Sequence, residues 1–389
     1  MTDRQIKIYK DRNLQIIFTV TLMNVLGVSS IAPALPNVQQ ALNVSSQNIG
    51  LLISVFTLPG VLLTFVFGVL ADRFGRKEVI LPSLVLFAVA GCACAWVRDF
   101  NILLVLRFIQ GVGAAALGAL NITMIGDLYR DQDLARAMGY NAAVLSVGTC
   151  LYPAVGGALA LWGWYYPFLL SFLALPVAGG VLFFLKTPRP EANQHLSDYL
   201  KNVWGIVKDP KVFLLFIVSL VTFIVIYGGC VTYFPIFMQQ VFLASPLTIG
   251  LFLSVMSLGT MIGSWQLGKL TDRLTEKAVV AVGFLIYILV SIVIPRVSNL
   301  WFLLIPAFLF GFAHGINVPA VQVLLVRQTP ADYRGAVMSS NGMILRLGQT
   351  LGPVMLGWVL IVGGIPGTFY ACAFLSLVMW ILLKTVIGR

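Results

Sequence analysis

The chain has 389 residues, 59% of them hydrophobic and only 10% charged, with a formal net charge of +11. Soluble domains run at about 45–50% apolar and about 25% charged, so the composition excludes a soluble globular enzyme. A dozen membrane-crossing helices of ~20 residues would take ~240 residues, close to the number of hydrophobic residues present.

In chain order, apolar segments run at about 14–33, 49–71, 79–97, 102–126, 137–161 and 165–186. A second set runs at about 212–236, 248–270, 278–295, 301–326, 336–361 and 366–385. Each is long enough to cross hydrocarbon as a helix, where every backbone polar group must bond within its own segment. The run Leu14–Ala32 follows a basic lead and is too long for a signal-peptide core, so it reads as an uncleaved first span. Between the sets lies the longest polar stretch, Thr187–Pro210, a cytoplasmic linker with a short amphipathic helix expected around Tyr199–Val207. The expected fold class is an all-α integral membrane protein of twelve transmembrane helices. They form two six-helix bundles, residues 1–186 and 211–389, joined by the linker 187–210.

The basic balance follows this topology. With Met1 in the cytoplasm, 21 of the 25 Lys and Arg residues fall on cytoplasmic segments. Only Arg98 and Arg296 fall on the opposite side, and Arg107 and Arg346 lie within spans. This positive-inside bias puts both termini in the cytoplasm and makes a nucleic-acid partner unnecessary to explain the charge. The five cysteines all sit in apolar runs without zinc-ligand spacing, so they read as packing residues, and neither a metal nor a cofactor is expected.

The two sets are copies. Ile49-Gly50-Leu51 recurs as Ile249-Gly250-Leu251, Gly111 matches Gly311, and Leu151-x-Pro153 matches Leu351-x-Pro353. Gly68-x-Leu70-x-Asp72-Arg73 recurs as Gly268-x-Leu270-x-Asp272-Arg273, at the same offset of 200 as the others. One register along most of the chain signals an internal repeat, and parallel six-span halves are the layout of rocking transporters.

The loop after the second span reads Gly68-Val69-Leu70-Ala71-Asp72-Arg73-Phe74-Gly75-Arg76-Lys77. It resembles the signature of the major facilitator superfamily, and the resemblance extends over both halves. The resemblance implies a cytoplasmic conformational latch made of Gly68, Asp72, Arg73, Gly75 and Arg76. Asp127, at the end of the fourth span, would complete the charge cluster with Arg73 or Arg76. Leu106-Arg107-Phe108-Ile109-Gln110-Gly111 is similar to the family motif around a membrane-embedded arginine, which implies that Arg107 assists proton transfer. Snorkelling is the alternative, since Arg107 lies only about five residues from the outer end. In the fifth span Gly139, Gly148, Pro153, Gly156 and Gly157 resemble the antiporter motif of drug:proton exporters, with Tyr152 in place of its glycine before proline. Gly352-Pro353 restores that pair in the eleventh span. Such glycines suit close helix packing on a surface between rocking halves.

None of the fourteen acidic residues falls near a midplane, and the first span offers Asn24 where many drug:proton antiporters carry a carboxylate. The ionisable groups that do lie deep are His314 and Arg346. His314 stands among helix breakers from Gly311 to Pro319, where local unwinding is expected, and it can titrate near neutral pH and carry a coupling proton. Arg346 calls for a cavity, an anionic ligand group or a set of carbonyls. The family's cavity-lining helices nominate Asn24, Asn121, Tyr227 and Asn317 as substrate contacts, with Arg346 from the eleventh span, and Phe223 and Tyr233 as stacking aromatics. The resemblance implies a multi-pass transporter of the inner membrane, acting as a monomer on a small-molecule substrate and protons. The leading expectation is a proton-coupled exporter of lipophilic or amphipathic compounds. The alternatives are a carrier for organic anions or anionic metabolites and, from a different class, a non-transporting membrane receptor.

Overall fold

The computed structural model describes residues 8–186, 208–330 and 333–386; most of the linker 187–210 and the amphipathic helix expected around Tyr199–Val207 lie outside them. The described residues are helical, without strands. In chain order the segments are α1 (Arg12–Ala41), α2 (Leu51–Phe74), α3 (Arg76–Ala93), α4 (Phe100–Leu128), α5 (Asp131–Ala160) and α6 (Tyr166–Phe184). There follow α7 (Pro210–Phe242), α8 (Pro246–Thr271), α9 (Glu276–Arg296) and α10 (Leu300–Gln328). The last helix, Arg334–Val386, is broken at Gly364, whose φ of 63° takes it out of helical geometry. It therefore counts as α11 (334–363) and α12 (365–386). Among the described residues, ten helices are long and apolar enough to cross a membrane. The short α3, with three charges in its first turn, and the division at Gly364 bring the number of segments to twelve.

Local chemistry sets the helix ends. Asp99 caps α4 by accepting from the Ile102 amide, and Asp209 caps α7 ahead of Pro210 by accepting from Lys211. Ser245 before Pro246 and Thr275 before Glu276 do the same for α8 and α9. At the other ends stand Arg98 and Arg296, the two basic residues that the charge pattern assigns to the outer side. Arg98 donates to the Ala95 carbonyl at 2.7 Å and lies over Tyr165, and Arg296 donates to the Ile292 carbonyl at 2.5 Å and lies over Tyr370. Each satisfies carbonyls that the end of its helix leaves free.

The chain divides into two compact units, Met1–Val44 with Val55–Asn193, and Ser45–Ser54 with Gln194–Arg389. In the first, Gly111 of α4 lies on the Phe56 carbonyl of α2 so closely that a Cβ there would overlap it. In the second, Gly311 of α10 lies in the same way on the Met256 carbonyl of α8. Both pairs are related by the offset of 200, so the duplicated sequence produces the same close crossing twice. This glycine contact lets backbones approach where lipid supplies no hydrophobic driving force between helices.

Gly311 and Gly315 therefore do not unwind α10, as the run of helix breakers predicted. The helix is continuous from Leu304 to Gln328 with Pro319 inside it, and Gly315 lies against the Thr260 carbonyl of α8. The departure from α geometry falls instead in α7, where Val225–Tyr233 is wound as a π-helix.

Candidate functional site

Arg107 is fully buried in the first unit and does not snorkel. Its guanidinium donates from Nη1 to Gln110 Oε1 at 2.7 Å and from Nη2 to the Gly27 carbonyl at 2.9 Å, and it lies 4.1 Å from the Phe56 ring centroid. Gln110 passes the network on, donating to Ser171 Oγ at 2.9 Å. The Gly27 carbonyl is available because α1 tightens at that point. The Ile31 amide bonds to Val28, and a 3₁₀ turn at Ala32–Ala34 carries Pro33, which has no donor to give. Arg107 thus ties α1, α2, α4 and α6 together and supplies the donor that the broken α1 lacks. Gln110 stands at the helical i, i+3 spacing from Arg107, which is the sequence signal for this partner.

The antiporter-type glycines face α1. A Cβ on Gly148 would meet Leu22, and one on Gly156 would overlap the Ser30 carbonyl in the turn where α1 breaks. Gly157 and Pro153 are buried in the same helix, and Tyr152 fills the space beside Gly148. Their surface is thus an intra-unit seam with α1, whose irregular turn needs a partner without side chains. Gly139 has open space around it.

Asn24 is half-buried on α1. One turn earlier on the same helix, Thr21 joins the other nominated residue, Asn121: the Asn121 amide donates to Thr21 Oγ1, which lies 2.5 Å from Asn141 Oδ1. All three side chains are buried, and Asn121 Oδ1 has no partner among the described residues. Thr21 and Asn141 were not singled out by sequence, because a single threonine or asparagine in a span has no spacing to mark it.

The charge cluster at the α2–α3 turn centres on Arg76. It is buried, pairs with Asp72 Oδ1 at 2.5 Å, and donates from Nε to Asp127 Oδ2 at 2.9 Å. Arg73 points away, exposed beside Phe74. Gly75 supplies the turn, with a φ of 111° and the Glu78 carboxylate where a Cβ would be. A Cβ added at Gly68 would have no neighbour within 4 Å, so this glycine serves no close contact inside its unit. The second unit carries Glu276–Arg327 at 2.8 Å, the positions of Arg76 and Asp127 shifted by 200 with the charges exchanged. Applying the repeat offset to the first pair would have found the second.

In the second unit, α11 approaches α7 through glycine. A Cβ on Gly348 would meet the Leu220 carbonyl and Phe223, and Gly352 and Gly228 lie on each other's backbone within the π-wound stretch. Pro353 is buried, and its carbonyl accepts from the Tyr233 hydroxyl at 3.2 Å. Two residues before Gly348, the Arg346 side chain comes within electrostatic range of Tyr227. Phe223 and Tyr227 stack with ring centroids 6.0 Å apart and 23° between planes, and the His314 ring meets Phe223 edge-on at 5.7 Å. Phe223 therefore joins Tyr227 to His314, with Arg346 within electrostatic range of Tyr227.

Asn317 is not part of this group. It is fully buried, its Cβ and Cγ lie against Gly283 of α9, and neither amide atom has a partner among the described residues. Gly283 leaves the gap that the asparagine side chain enters, so it faces the inside of its own unit.

Comparison with known proteins agrees with this architecture. The family model of the Major Facilitator Superfamily matches residues 17–244 and 234–388. The Bacillibactin exporter of Bacillus subtilis (strain 168) is 25% identical over 88% of each chain. Multidrug resistance protein 2 of the same organism is 27% identical, again over 88% of each. Among solved structures, a bacterial homologue of the human lysosomal transporter Spinster superposes with a TM-score of 0.83 at 18% identity, over 98% of both chains. The chain belongs to the Major Facilitator Superfamily: it is a multi-pass membrane transporter of small molecules, not an enzyme.

Proposed function

We propose that this superfamily member is a proton-coupled exporter of lipophilic or amphipathic small molecules, working as an antiporter by alternating access of two bundles, residues 1–186 and 211–389. The observation that carries the reading is the seating of the antiporter-type glycines Gly148 and Gly156 on α1, beside the turn that Arg107 caps. A broken helix held by one buried cation and a side-chain-free partner is a local packing that a change of conformation can alter, as alternating access requires. The Bacillibactin exporter among the relatives supports the direction.

Within this reading Asp72, Arg76 and Asp127 form the conformational latch. His314, whose Nδ1 is buried without a partner among the described residues, carries the coupling proton. Arg107 supports coupling through its hold on α1. Asn24, Asn121, Tyr227 and Arg346 contact substrate, and Asn317, enclosed against α9, does not. The protein works as a monomer in the plasma (inner) membrane with both termini cytoplasmic.

The test is proton flux in energised everted vesicles, with a panel of lipophilic cations, neutral compounds and organic anions. Compound-dependent collapse of the pH gradient, absent from vesicles lacking the protein and lost in His314→Ala, is the expected result. Compound uptake with no proton movement would refute antiport.

A further inference from the structure

The group formed by Phe223, Tyr227, His314 and Arg346 lies wholly in the second unit and belongs to three helices. Arg346 is twelve positions into α11, about 18 Å along the helix at 1.5 Å per residue. A guanidinium at that depth is costly unless it is paired. Yet Arg346 forms no ion pair among the described residues, and it is half-buried. Arg107, the other arginine within a span, is sealed and takes a carbonyl and an amide oxygen. The two differ in what they have been given: Arg107 has its acceptors built in, and Arg346 has no carboxylate among the described residues.

What surrounds Arg346 describes the missing acceptor. Gly348, two residues after Arg346, lies against Phe223, and Tyr227, within electrostatic range of the cation, stacks on Phe223, so two near-parallel rings make a flat aromatic surface on α7. The His314 imidazole meets Phe223 edge-on, with Nδ1 buried and unpartnered among the described residues. Tyr227 sits in the π-wound stretch, where the Thr232 hydroxyl bonds to the Tyr227 carbonyl five residues back and the register of the helix is offset. Such stretches commonly accompany binding sites because they re-aim side chains. Gly348 and Gly352 remove the side chains that would hold α11 away from this face.

We propose that this group is a binding subsite for an aromatic organic anion, its carboxylate or phenolate held by the fork of Arg346 and its ring laid against Tyr227 and Phe223. A guanidinium matches a carboxylate with two parallel hydrogen bonds, and a ring–ring contact adds to area burial. The imidazole supplies a second polar contact to a ring substituent. The inference deepens the exporter reading by naming its substrate class as amphipathic aromatic acids, and it rests on that reading for the claim that the bound compound is carried.

The experiment is a binding titration of the full-length protein in nanodiscs with three probes of one shape: 1-naphthoate, 1-naphthylmethanol and 1-naphthylmethylammonium. The wild type is expected to bind naphthoate at least tenfold more tightly than the other two. Arg346→Gln is expected to weaken naphthoate at least tenfold and the neutral alcohol less than twofold. Arg346→Lys, which keeps the charge but loses the fork, is expected to fall between, and Tyr227→Leu to weaken naphthoate and the alcohol alike. Wild-type preference for the cation, or equal loss of all three probes in Arg346→Gln, would overturn the proposal. If Arg346→Gln is not monodisperse, the wild-type order and Arg346→Lys decide. The titration needs no proton gradient: naphthoate binding with no proton exchange counts against the exporter reading alone. Proton exchange with no preference for the anion counts against the subsite alone.

Discussion

Replacing Arg107 with leucine tests the reading of this residue as a clamp. The substitution removes two charge-assisted hydrogen bonds, to the Gly27 carbonyl at 2.9 Å and to Gln110 at 2.7 Å, and the contact with the Phe56 ring. Hydrogen bonds to charged groups contribute about 1.5–3 kcal/mol in soluble proteins, whereas those measured between membrane helices average about 0.6 and reach about 1.7 kcal/mol. The cation–π contact adds about 1–2 kcal/mol when desolvated. Against this stands the desolvation of a guanidinium that leucine does not have to meet. Because the Gly27 carbonyl and Gln110 Oε1 stay buried without a donor, the loss outweighs the relief. The expected destabilisation is about 3 kcal/mol. Lysine, a single point charge able to reach one of the two acceptors, is expected to lose about half as much. The assay is equilibrium unfolding of purified protein in mixed micelles, with Gln110→Leu completing a double-mutant cycle whose coupling is expected near about 1 kcal/mol. Arg107→Leu within about 0.5 kcal/mol of wild type, but with proton-coupled transport abolished, would refute the clamp and return Arg107 to a direct part in proton transfer.

Asp72→Asn is expected to lower turnover at least tenfold while ligand affinity stays within twofold, because Asp72 is 61% exposed and braces the latch rather than a ligand; transport kinetics alongside binding titrations would show it. Since the second unit repeats the first pair with reversed polarity, Glu276→Arg and Arg327→Glu are each expected to impair transport and their combination to restore it. A double variant no better than either single one would mean the pair is incidental, as many exposed ion pairs are. Gly156→Val is expected to abolish folded protein, because its side chain would occupy the Ser30 carbonyl. Gly139→Ala and Gly68→Ala, in open space, are expected to leave the unfolding midpoint unchanged; size-exclusion profiles and unfolding curves separate the cases.

The all-helical membrane fold, the order of its apolar helices, the glycine contact repeated at an offset of 200 and the charge cluster after α2 were all legible along the chain. They are encoded in short-range patterns: apolar runs of membrane length, capping residues such as Asp99 and Asp209-Pro210, and repeated glycines at an offset of 200. Glycine identity alone did not reveal its use. Gly311 and Gly315 looked like breakers of α10 and proved to be its contact with α8, because a glycine without a free polar neighbour costs a membrane helix little and gains it a close crossing. The irregularity fell in α7, where Gly228 meets Gly352 from a helix more than a hundred residues away. Polar partners were likewise a matter of packing. Arg107 and Arg346 are both arginines in apolar spans, and only the packing of α1, with its carbonyl freed near Pro33, made Arg107 a sealed clamp, whereas Arg346 has no ion-pair partner among the described residues. Asn317 was turned toward α9 by the gap that Gly283 leaves, a decision made by a residue on another helix. Hydropathy and repeats act along the chain, whereas hydrogen-bond partners inside a bundle are chosen across it.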